Sequence, residues 1–427
     1  MHKDMDITLD GLSKIEGHAE LDIKVRGGKV VSARLGISEN KRFFTQAIRG
    51  QDYRALPQKV SRICGTCSIA HQMACLEAIE NALGIVPTTQ TMTLRNLAMY
   101  GLMIRDHALH LYLFCLPDIY GKDSVLEFDG PLHELVHDAF DVKAVGNALS
   151  TLVAGRAVHP PLPQVGGFTR FPEESSVKEV IRQLKSIRPK ALKLIDIFQK
   201  SDFKFEHDVK FVGLVNKDYN FLEGEIQSSD GLCIPESMFW EHLNRVVIPY
   251  SQATAFHFQG ANYVVGALSR VNLNKDSLHP DTKKDAATAL AAFPSKNLYH
   301  NNLAQAIELL HSVDRSIDIL SNTDFKAEPL VQPASRNNQV TGVGVIEAPR
   351  GTLYYMLDMN KQGKVIYGNL VIPTAQNQMT MEKDIRKLVP TILHLPREGI
   401  EHEIEKLIRA YDPCMSCASH FLKVKWR

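Results

Sequence analysis

The sequence predicts an α+β fold, predominantly helical, with a large buried helix-bundle core and small β-rich additions near the N-terminus and in the C-terminal part. Three observations predict it. The segment from about 90 to 116 is apolar almost all round, whereas a surface helix shows one apolar stripe, so it reads as a buried core helix. Val177, Val180, Ile181, Leu184 and Ile187 keep helical spacing while Lys178, Glu179, Arg182 and Lys185 face out, which predicts a second long helix over 177–200. Leu21-Asp22-Ile23-Lys24-Val25 alternates, Gly27-Gly28 follows, and Val30-Val31-Ser32-Ala33-Arg34-Leu35 completes a hairpin closed by a glycine turn.

The other elements follow in chain order. Ala74, Ala78 and Ala82 stand at helical spacing within 71–83, which puts the preceding Cys64 and Cys67 at a helix N-terminus. Pro189 is a point where the 177–200 helix can kink or split. Further helices are expected near 236–246, 283–293, 302–320 and 380–409. Strands are expected at Gly342–Ile346 and Lys364–Ile372, and Gly/Pro-rich loops at 159–167 and 347–351. No repeat, low-complexity tract or Gly/Ser linker divides the chain. Although 427 residues allow about three units, the expectation is one domain. Its parts are a β-rich 1–60, a helical core 61–330 and a β/α part 331–427.

Composition narrows the function. With 49 Lys and Arg against 48 Asp and Glu, no basic surplus points to nucleic acid and no acidic surplus to disorder. The most apolar stretch, Leu94–Leu116, is interrupted by Arg95, Arg105, Asp106, His107 and His110, so no membrane span is expected. Met1-His2-Lys3-Asp4-Met5-Asp6 lacks the apolar run of a secretory signal, and a cytoplasmic protein is expected. Seven cysteines, an odd number, argue against a disulfide framework.

Four of those cysteines form two Cys-x-x-Cys pairs, in Arg62-Ile63-Cys64-Gly65-Thr66-Cys67 and Asp412-Pro413-Cys414-Met415-Ser416-Cys417. This spacing lets both thiolates of a pair reach one metal, and soft thiolates select zinc, copper(I), nickel or iron. A structural four-cysteine zinc site usually brings its two pairs within about 15–20 residues. A thioredoxin-like redox pair needs a surrounding βαβ unit. Here the pairs lie at opposite ends of the chain, which better suits a buried centre joining those ends. Cys75, Cys115 and Cys233 are scattered and read as core thiols.

Arg62–Cys67 with His71, together with Asp412–Cys417 and Ala418-Ser419-His420, resembles the large subunit of [NiFe]-hydrogenases. Four further motifs resemble that family in the same order along nearly the whole chain. They are Lys14-Ile15-Glu16-Gly17-His18, Gly155-Arg156-Ala157-Val158-His159-Pro160 with Gly166-Gly167, Glu347-Ala348-Pro349-Arg350-Gly351, and Pro373-Thr374-Ala375-Gln376-Asn377.

The resemblance implies a Ni–Fe centre with carbon monoxide and cyanide on the iron. Nickel would be held by Cys64, Cys67, Cys414 and Cys417, with Cys67 and Cys417 bridging to iron. The implied reaction is reversible heterolytic cleavage of H₂ to protons and electrons. Two divalent cations offset four thiolates, so a dry cavity can hold the core. Cys414 would accept a proton and Glu16 would relay it outward. Arg350 would sit over the open side of the metals, paired with Asp106 and Asp412. Pro349, Pro373, Thr374 and His71 would surround the cofactor, Thr374 donating its hydroxyl to a cyanide. His71, four residues after Cys67, shares its helix face. His107 and His110 read as buried core residues without assigned chemistry.

The sequence departs from the family at a third metal site, magnesium or similar, that uses a glutamate and the C-terminal histidine. Arg42-Phe43-Phe44-Thr45 carries Thr45 where the glutamate is usual, a weaker ligand for a hard cation, although His420 is present. Lys14 stands where arginine is usual. Phe421–Arg427 follow the final histidine, where family members commonly lose a peptide after nickel insertion. No cysteine cluster remains for iron–sulfur centres. An iron–sulfur small subunit is therefore implied, with further flavin or iron–sulfur electron-transfer subunits as in the cytosolic multimeric branch. The acceptor would be NAD(P), a deazaflavin or ferredoxin. The alternatives are a regulatory H₂ sensor and a complex I-like quinone-site subunit, a lineage that lacks the four cysteines.

Overall fold

The computed structural model describes residues 4–38, 44–333 and 338–419. Strands β1 (Met5–Leu9), β2 (Ala19–Arg26) and β3 (Lys29–Ile37) form one antiparallel sheet in that order. Leu21, Ile23 and Val25 are buried while the residues between them are exposed, so the predicted alternation lays one face on the core. Gly27 and Gly28 close the hairpin with φ of 57° and 75°, the left-handed geometry a tight hairpin turn requires.

Helix α1 (Ser68–Leu83) begins directly after the first cysteine pair, with Cys67 at its N-cap. Its small face, Ala74, Ala78 and Ala82, lies on the strand β4 (Val340–Ala348). A Cβ at Gly344 would stand 2.7 Å from the Ala78 backbone nitrogen, so only glycine permits this approach. The strand therefore runs back along the helix toward Cys67. It turns at Pro349-Arg350 into β5 (Gly351–Met359), with Ala348 paired to Gly351. Proline first and glycine last is the residue pattern of a type I turn. A third antiparallel strand, β6 (Val365–Val371), completes this sheet.

Helix α2 (Thr89–Ala108) is capped by the Thr88 side chain and continues through a wider π-helical stretch over Leu109–Cys115. It crosses α3 (His133–Ala154) so closely that a Cβ at Gly146 would lie 2.7 Å from the Arg105 nitrogen. Helix α4 (Glu174–Gln199) runs unbroken through Pro189, because that residue is on the exposed face, where water can take the freed carbonyl. Helices α5 (Ala267–Asn274) and α6 (His300–Asn322) complete the central layer.

Four expectations change in detail. The helix expected over 236–246 is a 3₁₀ turn, Glu236–His242, followed by a strand, Leu243–Val247, paired antiparallel with Thr254–Phe258. There Phe239 and Trp240 pack on Phe258 and Tyr354, and Val246-Val247 favour the extended chain. The 283–293 region is two short helices, Pro280–Asp285 and Ala287–Leu290. The 380–409 region is two helices, α7 (Pro373–Ile392) and α8 (Arg397–Ala410), parted by Pro396. A four-stranded sheet of Tyr263–Val264, Lys210–Val215, Glu225–Ser228 and Cys233–Pro235 adds β structure within the predicted helical core. Among the described residues, no helix is long and apolar enough to cross a membrane.

Candidate metal centre

The fold brings the two cysteine pairs together. The Sγ atoms of Cys64, Cys67, Cys414 and Cys417 all lie within 4.8 Å of one another, and all four residues are buried. Cys64 and Cys414 Sγ are 3.6 Å apart, Cys414 and Cys417 3.1 Å, and none forms a disulfide.

Each pair is held by its own local structure. Cys67 occupies the N-cap position of α1. The second pair is tied to the N-terminal segment. Cys414 bridges Glu16 in parallel, and Met415 N donates to Glu16 O at 2.8 Å. Thr374 Oγ1 accepts from Cys414 N at 2.9 Å. Asp412 takes a left-handed φ of 51°, which turns the chain from α8 into the cysteine loop.

Burial pushes the Cys414 thiol up, while hydrogen bonds, first from Cys414, hold the Cys64 sulfur well below its ordinary range. Four thiolates packed this closely cannot all stay charged alone. A bound cation resolves that conflict, and ligation keeps every sulfur deprotonated.

A small cavity of about 10 Å³ lies beside the sulfurs, lined by Cys67, Cys414, Cys417, His71, Arg350 and Thr374 together with Ala348, Leu353, Ile372 and Pro373. Pro373 and Thr374 open α7, so the positive ends of two helices, α1 and α7, meet at this cavity. Arg350 Nη1 lies 3.4 Å from Cys67 Sγ and donates to Asp106 Oδ2 at 2.6 Å, while Nη2 lies 3.1 Å from Asp412 Oδ1. Burial opposes its charge, but Asp106 and Asp412 hold the guanidinium protonated. Arg350 Nε is buried without a hydrogen-bond partner, and so is Asp106 Oδ1. A soft four-sulfur donor set beside a cavity with an orphaned guanidinium N–H is chemically suited to a thiolate-bound metal with small polar ligands.

Glu16 Oε2 stands 2.8 Å from Cys414 Sγ, and Ser416 Oγ donates to Glu16 Oε1 at 2.8 Å. Glu16 is half-buried, so its carboxyl lies between the cluster and the outside. His71 Nδ1 is 2.7 Å from Tyr355 OH. His107 pairs with Glu308 at 2.9 Å, and His110 with Gln305 and the Arg409 carbonyl.

Residues 42–131 and 242–420 match the family described as nickel-dependent hydrogenase. The chain is 34% identical to sulfhydrogenase 2 subunit alpha of Pyrococcus furiosus, over 98% of this chain and 100% of that one. The chain belongs to the nickel-dependent hydrogenase family. This hydrogenase is also 27% identical to the NAD-reducing hydrogenase HoxS subunit beta of Cupriavidus necator, over 97% of this chain and 95% of that one. The crystal structure of an NAD⁺-reducing [NiFe]-hydrogenase in the H₂-reduced state superposes with a TM-score of 0.88 at 25% identity. The match covers 97% of this chain and 99% of the other. The chain is thus a catalytic hydrogenase large subunit.

Of the residues singled out in the sequence, the structure gathers Cys64, Cys67, Cys414, Cys417, Glu16, Arg350, Asp106, Asp412, His71, Pro373 and Thr374 around one centre. Pro349 is not among the residues lining the cavity; its carbonyl accepts from Arg270. His420, Arg42, Phe43 and the tail 421–427 lie outside the described residues. Thr45 is on the short helix Phe44–Ala47. Sequence reasoning missed Arg270, Glu308, Gln305 and Tyr355, which no short motif marks.

Proposed function

We propose that the four cysteines hold a Ni–Fe centre whose iron carries carbon monoxide and cyanide, and that the subunit catalyses reversible cleavage of H₂ to protons and electrons. The observation that carries this is four buried sulfurs within 4.8 Å of one another, with an arginine against Cys67 and a carboxyl against Cys414. When bound, the group supplies the redox and Lewis-acid chemistry that polarises H₂. Cys64, Cys67, Cys414 and Cys417 would hold it.

The chain's other residues orient and move protons. Cys414 Sγ receives a proton, and Glu16 Oε2, 2.8 Å away, takes it and turns it toward the Ser416 side. Arg350 presents positive charge and N–H donors over the open face, held there by Asp106 and Asp412. Thr374 Oγ1 accepts from Cys414 N, which leaves its O–H free to donate into the cavity. Ala348, Leu353, Ile372 and Pro373 keep the cavity apolar, and His71 completes the wall.

Electrons leave through an iron–sulfur small subunit and then flavin or iron–sulfur subunits, to NAD(P), a deazaflavin or ferredoxin, in the cytoplasm. The likeness to a sulfhydrogenase subunit and an NAD-reducing hydrogenase subunit supports a multi-subunit enzyme. No third metal enters the reading, since Thr45 is a poor ligand for a hard cation. The test is hydrogen–deuterium exchange and H₂ oxidation by the anaerobically purified complex. Exchange by the large and small subunits together supports the reading, and absence of exchange in nickel-loaded protein contradicts it.

A further inference from the structure

Arg270 lies on α5, outside the cavity lining, and is one of the two largest fully buried cationic side chains among the described residues. A guanidinium has five N–H donors. Here all five are used. Nε donates to Glu308 Oε1 at 2.6 Å and Nη2 to Glu308 Oε2 at 2.7 Å. Nη1 donates to Glu347 Oε2 at 2.7 Å. The remaining two go to backbone carbonyls, Ala348 O and Pro349 O, each at 3.0 Å.

Those carbonyls belong to the two residues immediately before Arg350. The turn they form is only two residues wide, so a shift at either moves the Arg350 side chain. The α5 N-terminus also presses on it: a Cβ at Gly266 would lie 3.4 Å from Arg350 O. Glu308, on α6, accepts further from His107 Nε2 and Tyr219 OH, both at 2.9 Å or less. His107 neighbours Asp106, the carboxylate that holds Arg350 from the other side. The backbone and the side-chain head of Arg350 are thus located by one buried network spanning α2, α5 and α6.

We propose that Arg270 is a positioning residue for the reaction: its guanidinium fixes the Ala348–Pro349 backbone and thereby holds Arg350 over Cys67. The proposal rests on the reading of Arg350 given above. Lysine keeps the charge but cannot span two carboxylates and two carbonyls with a planar fork.

The test is a double-mutant cycle of Arg270→Lys, Arg350→Lys and the pair, each purified anaerobically with its partner subunits. Turnover, KM, nickel and iron content, and the infrared bands of the bound diatomic ligands are recorded. R270K is expected to keep its metals and KM, shift the bands, and lower kcat about 10–100-fold, as a misplaced group does. In the R350K background the same change is expected to cost less than about twofold, because its route of action is gone. Equal losses in both backgrounds, or unshifted bands, would overturn the proposal and leave Arg270 a packing residue. Wild-type turnover by R350K would remove the reading of Arg350 and the proposal with it. Should R270K fail to assemble, Glu308→Gln, which loosens the fork without uncovering it, carries the same cycle and the same criteria.

Discussion

Glu16 and Cys414 are joined twice: Oε2 stands 2.8 Å from Sγ, and the two residues pair as a β-bridge through their backbones. The side-chain contact therefore does not depend on a flexible stem. A segment near the start of the chain and one near its end are locked at the atom proposed to receive a proton.

Glu16→Gln keeps the size and one hydrogen bond of the side chain but cannot carry a proton. Its expected effect is a loss of about 10²–10³-fold in turnover and in hydrogen–deuterium exchange, with nickel and iron content unchanged. Exchange near the wild-type rate in a metal-replete E16Q enzyme would show that protons leave another way.

Cys64→Ser removes one soft donor from the cluster. Nickel retention should fall by more than the ~10–100-fold that loss of an outer partner costs. Cys233→Ser is the control, because Cys233, expected in the core, is exposed and does not belong to the four-sulfur cluster. Metal analysis of both variants decides, and equal nickel in C64S and wild type would exclude Cys64 as a ligand.

The contact of β4 with α1 makes a stability prediction. In Gly344→Ala, the added methyl would meet Ala78 N at 2.7 Å, closer than real contacts allow. The strand or the helix must move, at a cost of about 1–3 kcal/mol. Thermal unfolding of G344A should fall accordingly. Because β4 leads into the Arg350 turn, activity should fall with it, whereas an unchanged Tm would mean the two backbones are less close than described.

A pH effect on stability is expected at a second cavity. A cavity of about 350 Å³ is lined by Glu77, Glu80, Glu223, Glu225 and Glu236, with Arg95 among them paired to Glu80. Burial pushes the Glu236 carboxyl up to about 7, and burial also raises its partner Glu77. A carboxyl whose pKa is higher folded than unfolded binds more protons in the native state. Its stabilising contribution is present at low pH and is lost as pH rises from the ordinary glutamate value toward 7. Tm should therefore decline between about pH 5 and pH 8, by an amount Glu236→Gln reduces. A slope unaltered by E236Q would assign the effect to other groups.

Much of the candidate site was legible because its residues sit in short motifs whose spacing is itself the chemistry. Cys64 with Cys67, and Cys414 with Cys417, need no tertiary information to suggest a metal. Glu16, Arg350 and Asp412 stand within similar short motifs. The supporting network was not legible. Arg270 and Glu308 lie on different helices, and nothing local says that a buried arginine will meet two carbonyls of a distant turn. The fold shows the same division. Long helices and the glycine-closed hairpin follow from local periodicity. The sheet built from 210–264 is made of strands of two to six residues whose partners are distant. The apolar and charged residues of 236–246 imitate a helix until aromatic packing on Phe258 and Tyr354 is known.

On the proposed function, the four cysteines hold a Ni–Fe centre with diatomic ligands on iron. Infrared spectroscopy of protein purified without air, with nickel and iron assayed on the same sample, tests it most directly. Bound carbon monoxide and cyanide absorb where the polypeptide is silent. Those bands are expected together with nickel and iron near one each. Zinc in place of nickel, with no such bands in protein co-expressed with its maturation machinery, would contradict it.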